Sequence, residues 1–252
     1  MTAADIELRD VRKYYRKGQI DIPALDGLSL HIAAGSFVAI MGPSGSGKST
    51  LLHLVGGLDT PTSGAVRVAE AELNELSERE LTAWRSRHVG FIFQMYHLVP
   101  VLTAAQNVEL PLLLFDMPAR ERRRRVRTAL EIVGLRERMD HRPNQLSGGQ
   151  EQRVAIARAI VTDPDVILAD EPTGDLDAHT SREIMHLLRL LHEEFGKTIV
   201  IVTHDPRAAG YGQRVLHLDK GVLDRDERTA PRARGHLHEP AAHPARPRTK
   251  VL

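Results

Sequence analysis

The residues Gly42-Pro43-Ser44-Gly45-Ser46-Gly47-Lys48-Ser49-Thr50 carry the spacing G-x-x-x-x-G-K-S of a phosphate-binding loop. Glycines let a backbone curl until successive N–H groups point at phosphate oxygens. A helix opening at Lys48 adds its positive end, Lys48 supplies a point charge for the β- and γ-phosphates, and the Ser49 hydroxyl can ligate Mg²⁺. The rival reading is a Gly/Ser-rich turn with an incidental lysine. Context argues against it, because the apolar run at 36–41 reads as a buried strand and 48–55 as a helix.

Other polar residues stand where strands end. Gln94 closes the apolar run that starts at Val89, and Asp170-Glu171 close the run that starts at Asp165. His204-Asp205 follow the run Thr198–Thr203, at the carboxyl end, where open α/β sheets bind ligands. Taken alone, the Asp170-Glu171 pair is equally well a solvated strand end. Gln145-Leu146-Ser147-Gly148-Gly149-Gln150 precedes a helical stretch through Ile160. Ser147 is its natural N-cap, and the two glycines allow close approach to a ligand. Tyr15 is an aromatic on an expected loop, able to stack a base or to sit half-buried.

The elements that position these residues follow from periodicity. Ile6 to Val11 alternate as an edge-type strand, and a second strand through Ile32 is entered by a turn at Asp26-Gly27. Ser77-Glu78-Arg79-Glu80 fits a capping box opening a short helix. Residues 95–163 read as helical, with no convincing strand. The run Arg120–Arg127 opens a helix anchored by Leu130 and Val133, its arginines a solvated face. Ile184, Leu187, Leu188 and Leu191 form one helical stripe, and Val215–Leu223 reads as a closing hairpin. From about Asp226 the composition turns to Arg, Pro, His and Ala, a disordered basic tail over 226–252.

Composition narrows the function classes. An apolar fraction of 42% suffices for a sizeable core in 252 residues, and a net charge of +1 gives no field favouring nucleic acid. The absence of cysteine removes disulfides, thiolate metal sites and cysteine nucleophiles. The N-terminus lacks a basic region followed by an apolar one, so no signal peptide is expected. No apolar run approaches the ~20 residues that span a bilayer.

The phosphate loop, Gln94, the Leu-Ser-Gly-Gly-Gln segment, Asp170-Glu171 and His204, in this order, resemble the ATP-binding cassette (ABC) ATPases over residues 5 to about 224. The Leu-Ser-Gly-Gly-Gln segment is the specific part, since a phosphate loop alone fits many NTPases. The resemblance implies an α/β P-loop core over residues 1–225, with a helical subdomain inserted at 95–163 and a flanking antiparallel β-subdomain. It implies ATP and Mg²⁺. Tyr15 matches the aromatic that stacks on adenine, and Gly42 to Thr50 match the Walker A loop. Gln94 matches the glutamine that contacts Mg²⁺ and the attacking water, Asp170 the Walker B aspartate and Glu171 the catalytic base. Asp177 matches the D-loop aspartate and His204 the switch histidine. Ser147, Gly148, Gly149 and Gln150 match the signature that completes the opposite subunit's site in a head-to-tail homodimer.

Elementary chemistry agrees. Hydrolysis of a γ-phosphoryl group needs positioning, charge neutralisation and an oriented water. Asp170 can hold Mg²⁺, Glu171 can aim at the water, and His204 can reach the γ-phosphate. Two departures stand out: Glu151 follows the signature where relatives have glutamine, and Asp175 stands where close relatives have asparagine. Neither removes a catalytic group. The stretches around Gly42, Gly56-Gly57-Leu58-Asp59, Gln94–Pro100 and Pro172–Asp177 resemble the branch of lipoprotein-releasing, macrolide-efflux and division-associated ATPases. This implies a separate membrane permease docking near Met95–Leu114, and a peripheral place on the cytoplasmic face of the membrane. The alternative is an ABC-type ATPase acting on DNA or ribosomes. It lacks support here, for the chain has neither a long heptad insertion nor a second cassette.

Overall fold

A computed structural model describes residues 4–229 of the chain. In chain order the elements are β1 (Ile6–Lys17), β2 (Ile20–Ile32), β3 (Phe37–Met41), α1 (Lys48–Val55), β4 (Ser63–Val68), β5 (Ala71–Glu72), α2 (Glu78–His88) and β6 (Val89–Phe93). They continue with α3 (Ala104–Glu109), α4 (Ala119–Ile132), α5 (Gly148–Ile160), β7 (Val166–Asp170), α6 (Ala178–Phe195), β8 (Thr198–Val202), α7 (Pro206–Ala209), β9 (Arg214–Asp219) and β10 (Val222–Arg228). Short 3₁₀ turns fill gaps between them.

Two sheets form. The first is antiparallel in the order β2-β1-β4-β5, and the second runs β10-β9-β3-β8-β7-β6. In the second, β9, β3, β8, β7 and β6 are mutually parallel and β10 pairs antiparallel to β9. The near-continuous apolar sequences of its central strands are explained by burial on both faces. Alternate residues serve different cores. Val38, Ile40, Val166, Leu168, Val200 and Val202 join a cluster with α1 and the antiparallel sheet. Phe37, Ala39, Ile167, Ala169, Ile199 and Ile201 join the other, with α3 to α6. Strand geometry requires this division, because successive side chains point to opposite faces. Helix α1 is thereby held between β2 and β4 on one side and β7 and β8 on the other.

Residues 95–163 are helical, without a strand. Val126, Ala129 and Leu130 of α4 and the following Val133 are buried, which leaves Arg120, Arg123, Arg124 and Arg127 exposed, while Arg122 and Arg125 are half-buried. The capping box at Ser77 and Glu80 forms. Among the described residues no helix is long and apolar enough to cross a membrane.

Four readings of the sequence need correction. β1 is an interior strand, paired with both β2 and β4. Its alternation signals only one wet face, which an interior strand of an antiparallel sheet shares with an edge strand. Asp26-Gly27 is no turn. Gly27, at φ +72°, lies within β2 opposite register shifts between Leu8 and Lys13, an irregularity of the bulge type. The connecting turn is Gly18-Gln19, so Tyr15 stands on a strand, not a loop. Finally, β10 continues to Arg228, paired with Arg214, past the expected boundary at Asp226. The rest of the expected tail, from residue 230, lies outside the described residues.

Candidate nucleotide-binding and hydrolysis site

The phosphate loop joins β3 to α1. Its curl needs glycine: a Cβ at Gly42 would stand 2.1 Å from the Leu218 carbonyl oxygen, and one at Gly47, at φ +96°, would stand 2.3 Å from that of Ala24. Gly45 faces open space. Lys48 Nζ donates to the Pro43 carbonyl at 2.8 Å, so its ammonium lies across the loop. Ser46 Oγ is buried with no hydrogen-bond partner. α1 begins with no side-chain cap and no acid in its first turn, whereas Ser77, Thr103, Ser147 and Asp177 cap α2, α3, α5 and α6. The first N–H groups of a helix lack intrahelical acceptors, so the start of α1 offers uncompensated donors and positive potential. This donor set fits an anion.

The carboxylates stand at the end of β7. Asp170 closes the strand, level with Val202 of β8. Glu171 turns the chain out with φ +47°, the left-handed region that an L-residue avoids. Its N–H donates to the Val202 carbonyl at 2.9 Å and its carbonyl accepts from Gly174 N–H at 3.0 Å, which fixes the turn. One residue after Asp170, the Glu171 carboxylate thus points elsewhere, to Nδ1 of His204 at 2.9 Å. Glu171 is mostly buried, while His204 is 74% exposed.

Gln94, just past β6, donates its side-chain amide to Asp175 Oδ1 at 3.1 Å. Gly174 leaves it room, since a Cβ there would meet the Gln94 carboxamide at 3.0 Å. Asp175, one of the two residues at which this chain departs from its expected pattern, therefore has a defined partner. Asp177 caps α6, accepting from the N–H groups of His179 and Thr180 and from the Thr180 hydroxyl. These bonds, the Thr180 hydroxyl's foremost, hold its carboxyl down at about 2. Ser147 caps α5 in a reciprocal box with Gln150. Gly148 faces the Tyr96 hydroxyl and Gly149 is packed on Thr180, so the start of α5 rests on the segment after Gln94 and on the start of α6.

Three residues that sequence reasoning passed over hold these pieces. Gln152, fully buried on α5, donates to the carbonyl of Pro172 at 2.6 Å and to that of Phe93 at 3.4 Å. Arg158, also on α5, donates to the carbonyls of Tyr96 and His97, and burial depresses its pKa. Asn107, fully buried on α3, binds backbone groups of Val99, Leu102 and Thr103. A buried amide or guanidinium in a helical stripe was the available signal. Tyr15 is 42% exposed and its hydroxyl donates to Asp59 Oδ2 at 2.9 Å.

The ABC transporter family model matches residues 25–174. The chain is 51% identical over 223 residues to an uncharacterized ABC transporter ATP-binding protein of Thermotoga maritima, covering 88% of this chain and 95% of that one. This chain is an ABC transporter ATP-binding subunit. The ABC subunit is also 49% identical to the macrolide export ATP-binding/permease protein MacB of Rhodopseudomonas palustris, over 92% of its own length but 36% of MacB. Among solved structures it resembles the ATP-binding cassette MJ0796 of Methanocaldococcus jannaschii, in a dimeric post-hydrolysis state bound to ADP and Pi. The TM-score is 0.83 at 47% identity, covering 90% of this chain and 99% of that one. The ABC subunit thus has the P-loop core with a helical and an antiparallel β-subdomain, and it is an ATP-hydrolysing enzyme.

Proposed function

We propose that this ATPase drives a permease carried on a separate chain, at the cytoplasmic face of the membrane, as a head-to-tail homodimer closing on two ATP molecules. The work done is export of lipoproteins, lipids or drugs, or transmission of force across the membrane. The dimeric state of MJ0796 supports the homodimer, and the ATP-binding/permease naming of MacB supports the coupling. One observation carries the docking. Met95, Val101, Leu113 and Leu114 are 56 to 73% exposed, all within the stretch that follows Gln94. Clustered apolar exposure of this kind marks an interaction surface.

In this reading the N–H groups of the phosphate loop and Lys48 bind the ATP phosphates, and Tyr15 stacks on the base. Ser49, Asp170 and the Gln94 carbonyl oxygen would hold Mg²⁺. They are hard oxygen donors, and Gln94 keeps its carbonyl free by turning its amide nitrogen to Asp175. Among the described residues no group of three or more His, Asp or Glu side chains could hold a metal ion. When bound, Mg²⁺ neutralises charge on the β- and γ-phosphates.

Glu171 accepts the proton of the attacking water as its oxygen bonds to the γ-phosphorus and ADP leaves. His204 orients the Glu171 carboxylate and stands by the γ-phosphate. Ser147, Gly148, Gly149 and Gln150 serve the nucleotide of the opposite subunit, and Asp177 sets the start of α6 beside them. The test is ATPase activity of the purified chain, alone and reconstituted in vesicles with a candidate permease from the same organism. Several-fold stimulation and retention on the vesicles are expected. Absence of both overturns the permease reading.

A further inference from the structure

Asp59, in the turn after α1, gathers two residues of β1. Its Oδ2 accepts from the Tyr15 hydroxyl at 2.9 Å, and its Oδ1 accepts from Lys13 Nζ at 2.6 Å and from the Thr60 N–H at 2.7 Å. Lys13 and Tyr15, two apart on a strand, share one face. Lys13 Nζ also donates to the Thr60 carbonyl and lies 5.1 Å from the centre of the Tyr15 ring. A cation at that distance is held by the ring's π face. One face of Tyr15 is thereby taken, while the side chain stays exposed enough for a base to reach the other. The turn itself is tied to α1, since Leu58 and Asp59 N–H both donate to the His53 carbonyl. Further along, Thr62 N–H donates to the Arg12 carbonyl and Thr62 Oγ1 accepts from Tyr14 N–H.

We infer that Asp59 is a positioning residue for nucleobase recognition: it fixes Lys13 and Tyr15 as one platform and ties that platform to α1, the helix that opens at the phosphate loop. The inference rests on the reading that Tyr15 stacks on the base. Protonation states suit it. Burial, and to a lesser degree the bond to Asp59, push the Tyr15 phenol up against the opposing bond from the Thr50 hydroxyl, so it remains a donor at neutral pH. Burial opposes ionisation of Asp59, but the bonds from Lys13, Thr60 N–H and Tyr15 outweigh it and hold the carboxyl below its usual range. The carboxylate serves two donors that face it from one strand. Removing it leaves Lys13, which is almost buried, without its counter-ion and leaves the phenol with the Thr50 hydroxyl alone.

The test compares ATP with tripolyphosphate, which fills a phosphate cradle but has no base, using equilibrium titration of the full chain. Asp59→Ala is expected to weaken ATP binding by about tenfold, within the range of a lost base–aromatic stack. Its affinity for tripolyphosphate should stay within about twofold, because the phosphate loop is untouched. Tyr15→Phe, which removes the same hydrogen bond from its other end, should weaken ATP to a similar degree. The double variant should be no worse than Asp59→Ala, as for one shared interaction. Equal loss of ATP and tripolyphosphate would reveal a merely structural role and overturn the inference. Unchanged ATP affinity in Asp59→Ala, with loss in Tyr15→Ala, would overturn it while leaving base stacking intact. Unchanged affinity in Tyr15→Ala would overturn both. Should Asp59→Ala fail to fold, Tyr15→Phe takes its place beside Tyr15→Ala, and unchanged ATP affinity in Tyr15→Phe overturns the inference.

Discussion

The side-chain amide of Gln152 donates to the Pro172 carbonyl at 2.6 Å from a fully buried position on α5. Pro172 follows Glu171, and the second carbonyl within reach, that of Phe93, precedes Gln94. One side chain on the signature helix therefore holds the backbone beside two proposed catalytic residues. Its own carbonyl oxygen has no partner. Gln152→Leu keeps the volume but strands both backbone carbonyls. The expected loss is about 1–3 kcal/mol of stability, the scale for unsatisfied buried groups. Turnover should fall by about tenfold with little change in ATP affinity, as for a small misplacement of reacting groups. Chemical denaturation and steady-state kinetics check the two effects separately.

Glu171→Gln should retain ATP but lose turnover by at least ~100-fold, the scale for removing a general base. Glutamine fills the same space beside His204 and cannot take a proton from water. The arrested protein should elute as a dimer with two nucleotides on size-exclusion chromatography. Undiminished hydrolysis would remove Glu171 from its role.

Charge on the exposed band should separate coupling from chemistry. Met95→Glu and Val101→Glu are expected to leave basal ATPase activity intact and abolish stimulation by the permease. Read from the sequence alone, Tyr96 and Leu98 are the positions at which charge is expected to act in this way. In the structure Leu98 is packed against the core and the Tyr96 hydroxyl faces Gly148, so charge at either position attacks the fold or the signature. Stimulation of Met95→Glu and Val101→Glu to the level of the unaltered chain would move the docking surface elsewhere.

Ser147→Arg should block hydrolysis while sparing ATP binding by the monomer. The substitution also deletes the cap of α5, which costs about 1 kcal/mol, so Ser147→Asp is the control that preserves capping. Mixed with Lys48→Ala chains, Ser147→Arg chains should regain partial activity, because one composite site then carries both lesions and the other neither. A Ser147→Arg monomer with strongly weakened ATP binding would count against completion in trans.

The Asp177 carboxyl, at about 2, gives a pH signature. Its folded-state value lies below that of an unfolded chain, so its contribution to stability is full above about pH 4 and is lost as pH falls towards about 2. Asp177→Ala should therefore melt lower than the unaltered chain at pH 7, with the gap narrowing below about pH 4. Thermal melts across that interval check it, and a gap independent of pH would mean that the charged cap contributes nothing.

The parallel sheet and phosphate loop were legible because their signals are local. Apolar runs such as Val166–Asp170 and Thr198–Val202 formed strands where expected, and Lys48–Val55 formed a helix with the expected ends. The antiparallel sheet was read only coarsely. Ile6 cannot announce that it will pair with both Ile32 and Val68, and Gly27 reads as a turn until its partners across the sheet are known. The polar fastenings were hidden for the same reason. Gln94 meets Asp175, Arg158 meets Tyr96 and Gln152 meets Pro172 only through folding, across separations that no periodicity spans.

Glu171 occupies a backbone conformation that costs an L-residue roughly 1–2 kcal/mol and a glycine almost nothing. A sequence optimised for durability alone would carry glycine there. Stability and activity are therefore opposed at this position. Selection for heat resistance, without a demand for hydrolysis, would tend to erase the very side chain that the end of β7 is bent to present.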